Sequence, residues 1–212
     1  MRIRRTSLVP RQQYVRDVKI FVVATEDEKA EGQYLDIFRT KVTPRVHVEV
    51  LPTGPDGLSA ARHVLDRLAT FEAEYSLALA REDELWLMMD VDRQPRKVLE
   101  EVTQMAAESG YKLAVSAPCF ELWILLHFRD HDMADTTCRQ VVSRLQRHLG
   151  GYNKARIDPS LFTRDAIERA VEAAKVLDRP ENVRVPAYPG THIYKLVEKL
   201  LTYWPDASRS PT

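Results

Sequence analysis

Leu85-Trp86-Leu87-Met88-Met89-Asp90-Val91-Asp92 is the stretch that decides the fold. Five apolar residues in a row, bounded by charge on both sides, have the pattern of a buried central strand in a parallel sheet. Asp90 and Asp92 are spaced i, i+2, so their carboxylates face the same way if the extended geometry runs on through Asp92. Open α/β sheets place their ligands beyond the carboxyl ends of the strands, and concentrated negative charge there calls for a counter-ion. Oxygen donors of this hardness suit Mg²⁺ or Mn²⁺. The plainer reading is that the two aspartates only end a strand and start a helix; the surrounding chain has to separate the two.

Upstream, Val18 to Ala24 is short and β-branched, a first strand. Glu26, Asp27, Glu28 and Glu31 follow it directly and lead into Tyr34, Leu35, Ile37 and Phe38, whose spacing suits a helix packed on a sheet. Some of these acids favour a helix N-terminus through its dipole, which does not explain why the cluster follows a strand. Val46 to Val50 alternates as a second strand, and the turn-rich Pro52 to Gly57 precedes a helix expected from Leu58 to about Ala80.

Downstream, a helix beginning at Pro95 stops at Ser109-Gly110, and Lys112 to Ser116 reads as a fourth strand. Cys119 to Phe128 is then apolar almost all round except for Glu121 and His127, so it is a buried helix. Burying a glutamate costs several kcal/mol unless it is paired or binds metal, which singles out Glu121. His127 is read as a core-edge histidine with a satisfied hydrogen bond. Helices are expected over 136–149, 161–177 and 191–203. The alternation of strand and helix predicts a mostly parallel four-stranded sheet with flanking helices and a C-terminal helical extension. The expected divisions are a basic arm over 1–16, a core over 17–130, the extension packed on it over 131–204, and a frayed tail over 205–212.

The totals are those of an ordinary globular chain: 212 residues, 44% apolar, 29% charged, with 31 basic and 31 acidic residues. Neutral net charge neither demands nor excludes a polyanionic partner, but Arg2, Arg4, Arg5, Arg11 and Arg16 form an arm that suits phosphates as well as it suits a solvated terminus. Cys119 and Cys138, without an apolar signal segment, point to a reducing cytoplasm, no disulfide framework and no membrane. Neither a glycine-rich phosphate loop nor a Gly-x-Ser-x-Gly elbow is present, which disfavours ATP hydrolysis, dinucleotide binding and serine nucleophiles. What is left is a carboxylate cluster, Glu26, Asp90, Asp92 and Glu121, suited to divalent ions acting at a phosphodiester.

Val23 to Glu31 followed by Tyr34 and Phe38, then Met89-Asp90-Val91-Asp92-Arg93, then Ser116 to Phe128 with its Pro-Cys-Phe-Glu-Leu-Trp block, resemble the RloB/AbiLii family of bacterial abortive-infection and anti-phage loci. Gly151-Tyr152-Asn153-Lys154 and Thr191 to Val197 resemble that family's helical C-terminal part, so the likeness runs over roughly residues 17 to 201. The resemblance implies a Toprim-like core, with Glu26 as the strand-end glutamate, Asp90 and Asp92 as the metal-binding pair alongside it, and Glu121 as an additional ligand or acid. Lys154 and Lys195 are implied as phosphate contacts, and Lys29 and Arg93 join them as candidate substrate-binding residues.

The expected function is therefore a Mg²⁺- or Mn²⁺-dependent nuclease, with RNA, tRNA included, favoured over DNA. It would serve as the effector of a phage-defence system and be controlled by a partner ATPase. The family commonly has Gly where Asp27 stands and Asn where Ala117 stands. These departures motivate the other reading, a non-catalytic scaffold that binds nucleic acid or a partner. Trp123, Trp204 and the C-terminal helices fit either a core or a homo-oligomer interface.

Overall fold

The computed structural model describes residues 18–26, 28–53, 60–75, 79–128, 137–179 and 183–205. The basic arm, Asp27 and the end of the tail lie outside the described residues.

Parallel pairing builds the sheet from β1 (Lys19–Ala24), β2 (Val46–Leu51), β3 (Glu84–Asp90) and β4 (Lys112–Ala117), in the order β2-β1-β3-β4. Period-two alternation sends Phe21, Val23, Trp86 and Met88 to one face and Val22, Ala24, Leu87 and Met89 to the other. The first face is covered by α1 (Gln33–Lys41), α4 (Phe120–Leu126), α5 (Cys138–Leu149), α6 (Arg164–Leu177) and α7 (Ile193–Leu201). The second is covered by α2 (Ala61–Tyr75) and α3 (Arg96–Glu108). Buried on both faces, β1 and β3 need no polar alternation, which is why their sequences read as continuous apolar runs.

The chain leaves β1 in one direction to reach β2 and returns past it to β3 on the other side. The crevice at the carboxyl ends of β1 and β3 is thus the topological switch point of the sheet, the place where doubly wound folds bind ligands.

The four-stranded expectation needs one correction. Gly190–Thr191 adds a fifth strand, β5, antiparallel to β4, with Thr191 opposite Ser116 and Gly190 opposite Ala117. The Ser116 and Thr191 hydroxyls share a hydrogen bond of 2.7 Å. Two residues are too few to show any periodicity, so this strand is dictated by tertiary pairing and was read as the start of a helix. The helix expected from Leu58 spans Ala61–Tyr75, with 54–59 and 76–78 outside the described residues. Asp83 sets the entry to β3, accepting from the Ala80 amide at 2.8 Å and the Ile20 amide at 2.7 Å.

A second correction concerns the cysteines, which are joined in a disulfide. Cys119 precedes α4, Cys138 opens α5, and packing of the two helices brings their Cα atoms to 5.6 Å, within bonding range. Counting cysteines could not reveal that neighbourhood. Thr137 caps α5 through a reciprocal box with Gln140, and Gly150 ends it in the left-handed region at φ 68°. Trp123 is fully buried in the core, and Trp204, partly buried, packs edge-on against Phe38 at 5.7 Å. Among the described residues no helix is long and apolar enough to cross a membrane.

Candidate carboxylate centre

Four acidic side chains are buried around the switch point: Glu26 just beyond β1, Glu31 in the π-helical turn Glu28–Gly32 that leads into α1, Asp90 as the last residue of β3, and Glu121 in the first turn of α4. Each arrives there for a local reason. Arg67 of α2 fastens the carboxyl ends of β1 and β2 together, donating to the carbonyls of Thr25, Leu51 at 3.2 Å and Pro52 at 2.9 Å. The wide turn at 28–32 carries Glu31 inward, and such turns are rare and frequently found at functional sites. Helix α4 is buried along its length, so its first-turn glutamate is carried into the interior with it.

Glu26 is held by two donors: the Asp90 backbone amide, 3.3 Å from Oε2, and the Gln94 amide nitrogen, 2.8 Å from Oε1. Burial nonetheless lifts its carboxyl to about 7, against the lowering effects of Gln94, the Asp90 amide and Arg93. Asp90 is pushed well above the carboxylate range by burial and then by the charges of Glu31, Glu26, Glu121 and Asp92, all acting in the same direction. Glu121 is raised by burial, with Lys154 and Arg93 opposing.

The structure departs from the expected Asp90/Asp92 pair. β3 ends at Asp90, and Asp92 sits in the following turn, exposed, with its amide donating to the Pro118 carbonyl at 3.1 Å. The extended geometry that would align the two carboxylates stops at Asp90, two residues too soon. Among the described residues, the set of three potential ligand atoms mutually within 4.8 Å consists of Asp92 and the two cysteine sulfurs. Sulfurs already bonded to each other are not thiolate donors, so this set does not make a metal site.

The buried carboxylates do suit a hard cation. Mg²⁺ retains several waters and takes one or two carboxylates directly, so it does not require a closed protein cage. The mutual repulsion focused on Asp90 is what one divalent ion would relieve.

The basic candidates divide. Arg93 acts electrostatically on Glu26, Asp92 and Glu121, and Lys154 on Glu121. Lys154 is delivered by Gln33 of α1, which donates to the Lys154 carbonyl at 3.1 Å and accepts from the Ile157 amide at 3.0 Å. Lys195 belongs elsewhere, 3.1 Å from Asp178. Lys29 is exposed on the π-helical turn. Glu31 is the residue that sequence reasoning passed over, counted among acids assigned to a helix dipole. Its signal was that it precedes Gly32 and Tyr34 at the start of an inward-facing stripe. His127 is the core residue expected, bonded to the Tyr34 hydroxyl at 3.1 Å and the Trp123 carbonyl at 2.9 Å.

A mostly parallel α/β sheet with buried carboxylates at its switch point defines the class. The family model described as RloB-like protein matches residues 21–200, and the chain belongs to that family. No curated protein and no solved structure matches it.

Proposed function

We propose that this RloB-like chain is a divalent-cation-dependent phosphodiesterase that cleaves nucleic acid. The observation that carries the reading is the burial of Glu26, Glu31, Asp90 and Glu121 together at the switch point, with Asp90 driven far from its ordinary titration by its neighbours. Asp90 and Glu121 would hold Mg²⁺ or Mn²⁺, with Glu31 beside them. The bound ion supplies charge stabilisation for a phosphodiester and acidifies water. Glu26, poised near neutrality and oriented by Gln94 and the Asp90 amide, holds or releases a proton at its carboxylate oxygens. Arg93 and Lys154 bring positive charge to the same side of the site for substrate phosphate.

RNA, tRNA included, is favoured over DNA, and an anti-phage role under the control of a partner ATPase is proposed with it; both rest on the family resemblance set out above. The test is induced expression in a bacterium of wild type beside Glu26→Ala and Asp90→Ala, with and without a co-encoded ATPase, and gels of total RNA and DNA. New fragments in wild type that vanish in both variants are the expected result, and the fragmented polymer identifies the substrate.

The exposure of Asp92 and the presence of Ala117 beside β5 favour one alternative, a non-catalytic scaffold that keeps the fold and binds nucleic acid or a partner. Intact RNA and DNA in every case, from folded protein that still binds Mn²⁺, would establish it.

A further inference from the structure

A cavity of about 520 Å³ opens directly beside the carboxylate centre, between the turn after β3, the start of α3 and the segment leading into β5. Two of its residues belong to both places: Asp92, and Gln94, which orients Glu26. The rest of its lining is the apolar Val91, Leu99, Val185 and Pro186, the exposed Arg96–Glu100 ion pair, and Tyr188. Tyr188 is 48% exposed, a large aromatic left at the surface where the described core had other aromatic clusters to join.

The segment carrying Tyr188 is pinned at both ends. Val185 packs against the core layer of α2 and α3, and Gly190 pairs with Ala117 in the sheet. The chain folds so tightly between them that a Cβ on Gly190 would meet the Ala187 carbonyl oxygen at 2.7 Å. The ring is therefore presented by a braced turn. Burial raises the Tyr188 phenol and the charge of Asp92 raises it further, so the phenol and Asp92 are electrostatic neighbours.

The volume lies within the range of small-ligand pockets, about 300–1,000 Å³, and an aromatic side chain together with apolar walls suits a flat heteroaromatic ring. A base attached to a phosphodiester would find both halves of its chemistry in adjacent places.

We propose that Tyr188 is a stacking platform for a nucleobase of single-stranded nucleic acid, seating the residue next to the phosphodiester at the carboxylate centre. This rests on the phosphodiesterase reading, whose substrate it places.

The test is binding of fluorescein-labelled single-stranded 12-mers, one RNA and one DNA, by fluorescence anisotropy with Ca²⁺ in place of Mg²⁺, using wild type, Tyr188→Ala and Tyr188→Trp. An abasic deoxyribose-phosphate oligomer of the same length serves as control. Loss of one stacked base should weaken 12-mer binding about tenfold or more in Tyr188→Ala. Tyr188→Trp should restore it, and the abasic oligomer should bind wild type and Tyr188→Ala alike. The Mn²⁺-induced rise in melting temperature should be the same in all three proteins, which shows that the centre is intact. Equal 12-mer binding by wild type and Tyr188→Ala would overturn the platform and leave the phosphodiesterase reading standing. Absence of any 12-mer binding by wild type would overturn both.

Discussion

Asp90 and Asp178 are both buried aspartates of one fold, and their surroundings are opposite. Asp178, at the end of α6, receives the His192 ring nitrogen at 2.8 Å, the Tyr194 hydroxyl at 2.7 Å and the Lys195 ammonium at 3.1 Å. Those partners outweigh burial and hold its carboxyl below the ordinary range. His192 is itself kept from charging by burial and by Lys195, so it serves Asp178 as a neutral donor while Lys195 supplies the charge. Asp90 is surrounded instead by carboxylates and driven upward. A buried acid with its donors in place joins elements together, here α6 to β5 and α7. A buried acid among its own kind must take up a proton or a counter-ion.

The largest expected effect tests that contrast directly. Asp178→Ala takes the acceptor from buried His192 and part-buried Tyr194 and the counter-charge from half-exposed Lys195, and leaving such donors unpaired costs about 1–3 kcal/mol each. Asp90→Asn in EDTA should cost nothing or raise stability, because it removes repulsion. Urea unfolding at pH 7 measures both. Equal destabilisation by the two substitutions would show that Asp90 is as well partnered as Asp178.

The two regions should also answer pH in opposite senses. Glu26 is raised from 4.5 to about 7 in the folded chain, so without a cation the stability it leaves intact below about pH 4.5 is lost as pH rises through 7. A shift of that size corresponds to about 3 kcal/mol, and Asp90 and Glu121 add to it in the same direction. Asp178 works the other way: its contribution is present above its unfolded value of 3.8 and is lost as pH falls through its lowered folded value. Thermal melts of cation-free protein between pH 4.5 and 7.5 should therefore fall with rising pH. Glu26→Gln should flatten that slope, whereas a slope unchanged by it would place the titrating group elsewhere.

How far these arrangements were legible in the sequence follows from the same chemistry. The strands β1 and β3 announced themselves because burial on both faces leaves no room for polar alternation, and Glu121 stood out as an acid in an apolar helix. The geometry of Asp92 was hidden because two residues of turn in place of strand redirect a side chain without altering composition. The disulfide, β5 and the Asp178 network were hidden because each joins segments far apart in sequence, Asp178 with His192 or Ser116 with Thr191, and no local period records such pairs. Tyr188 lay in a proline-rich stretch that reads as loop.

The smallest of these effects bears most directly on what Asp90 is for. An ion that binds only the folded chain stabilises it by about 2.7 kcal/mol at a hundredfold excess over its dissociation constant. Mn²⁺ should give that rise at pH 7.5, where binding must compete with few protons, and much less at pH 5, where Glu26 holds its proton. Asp90→Ala should abolish the rise, while Asp92→Ala should only diminish it, since Asp92 acts on the buried acids from an exposed position at the edge of the centre, beside the disulfide. Should Asp92→Ala erase the rise as completely as Asp90→Ala, the ion is held at the mouth of the crevice, and the repulsion around Asp90 is relieved by protons alone.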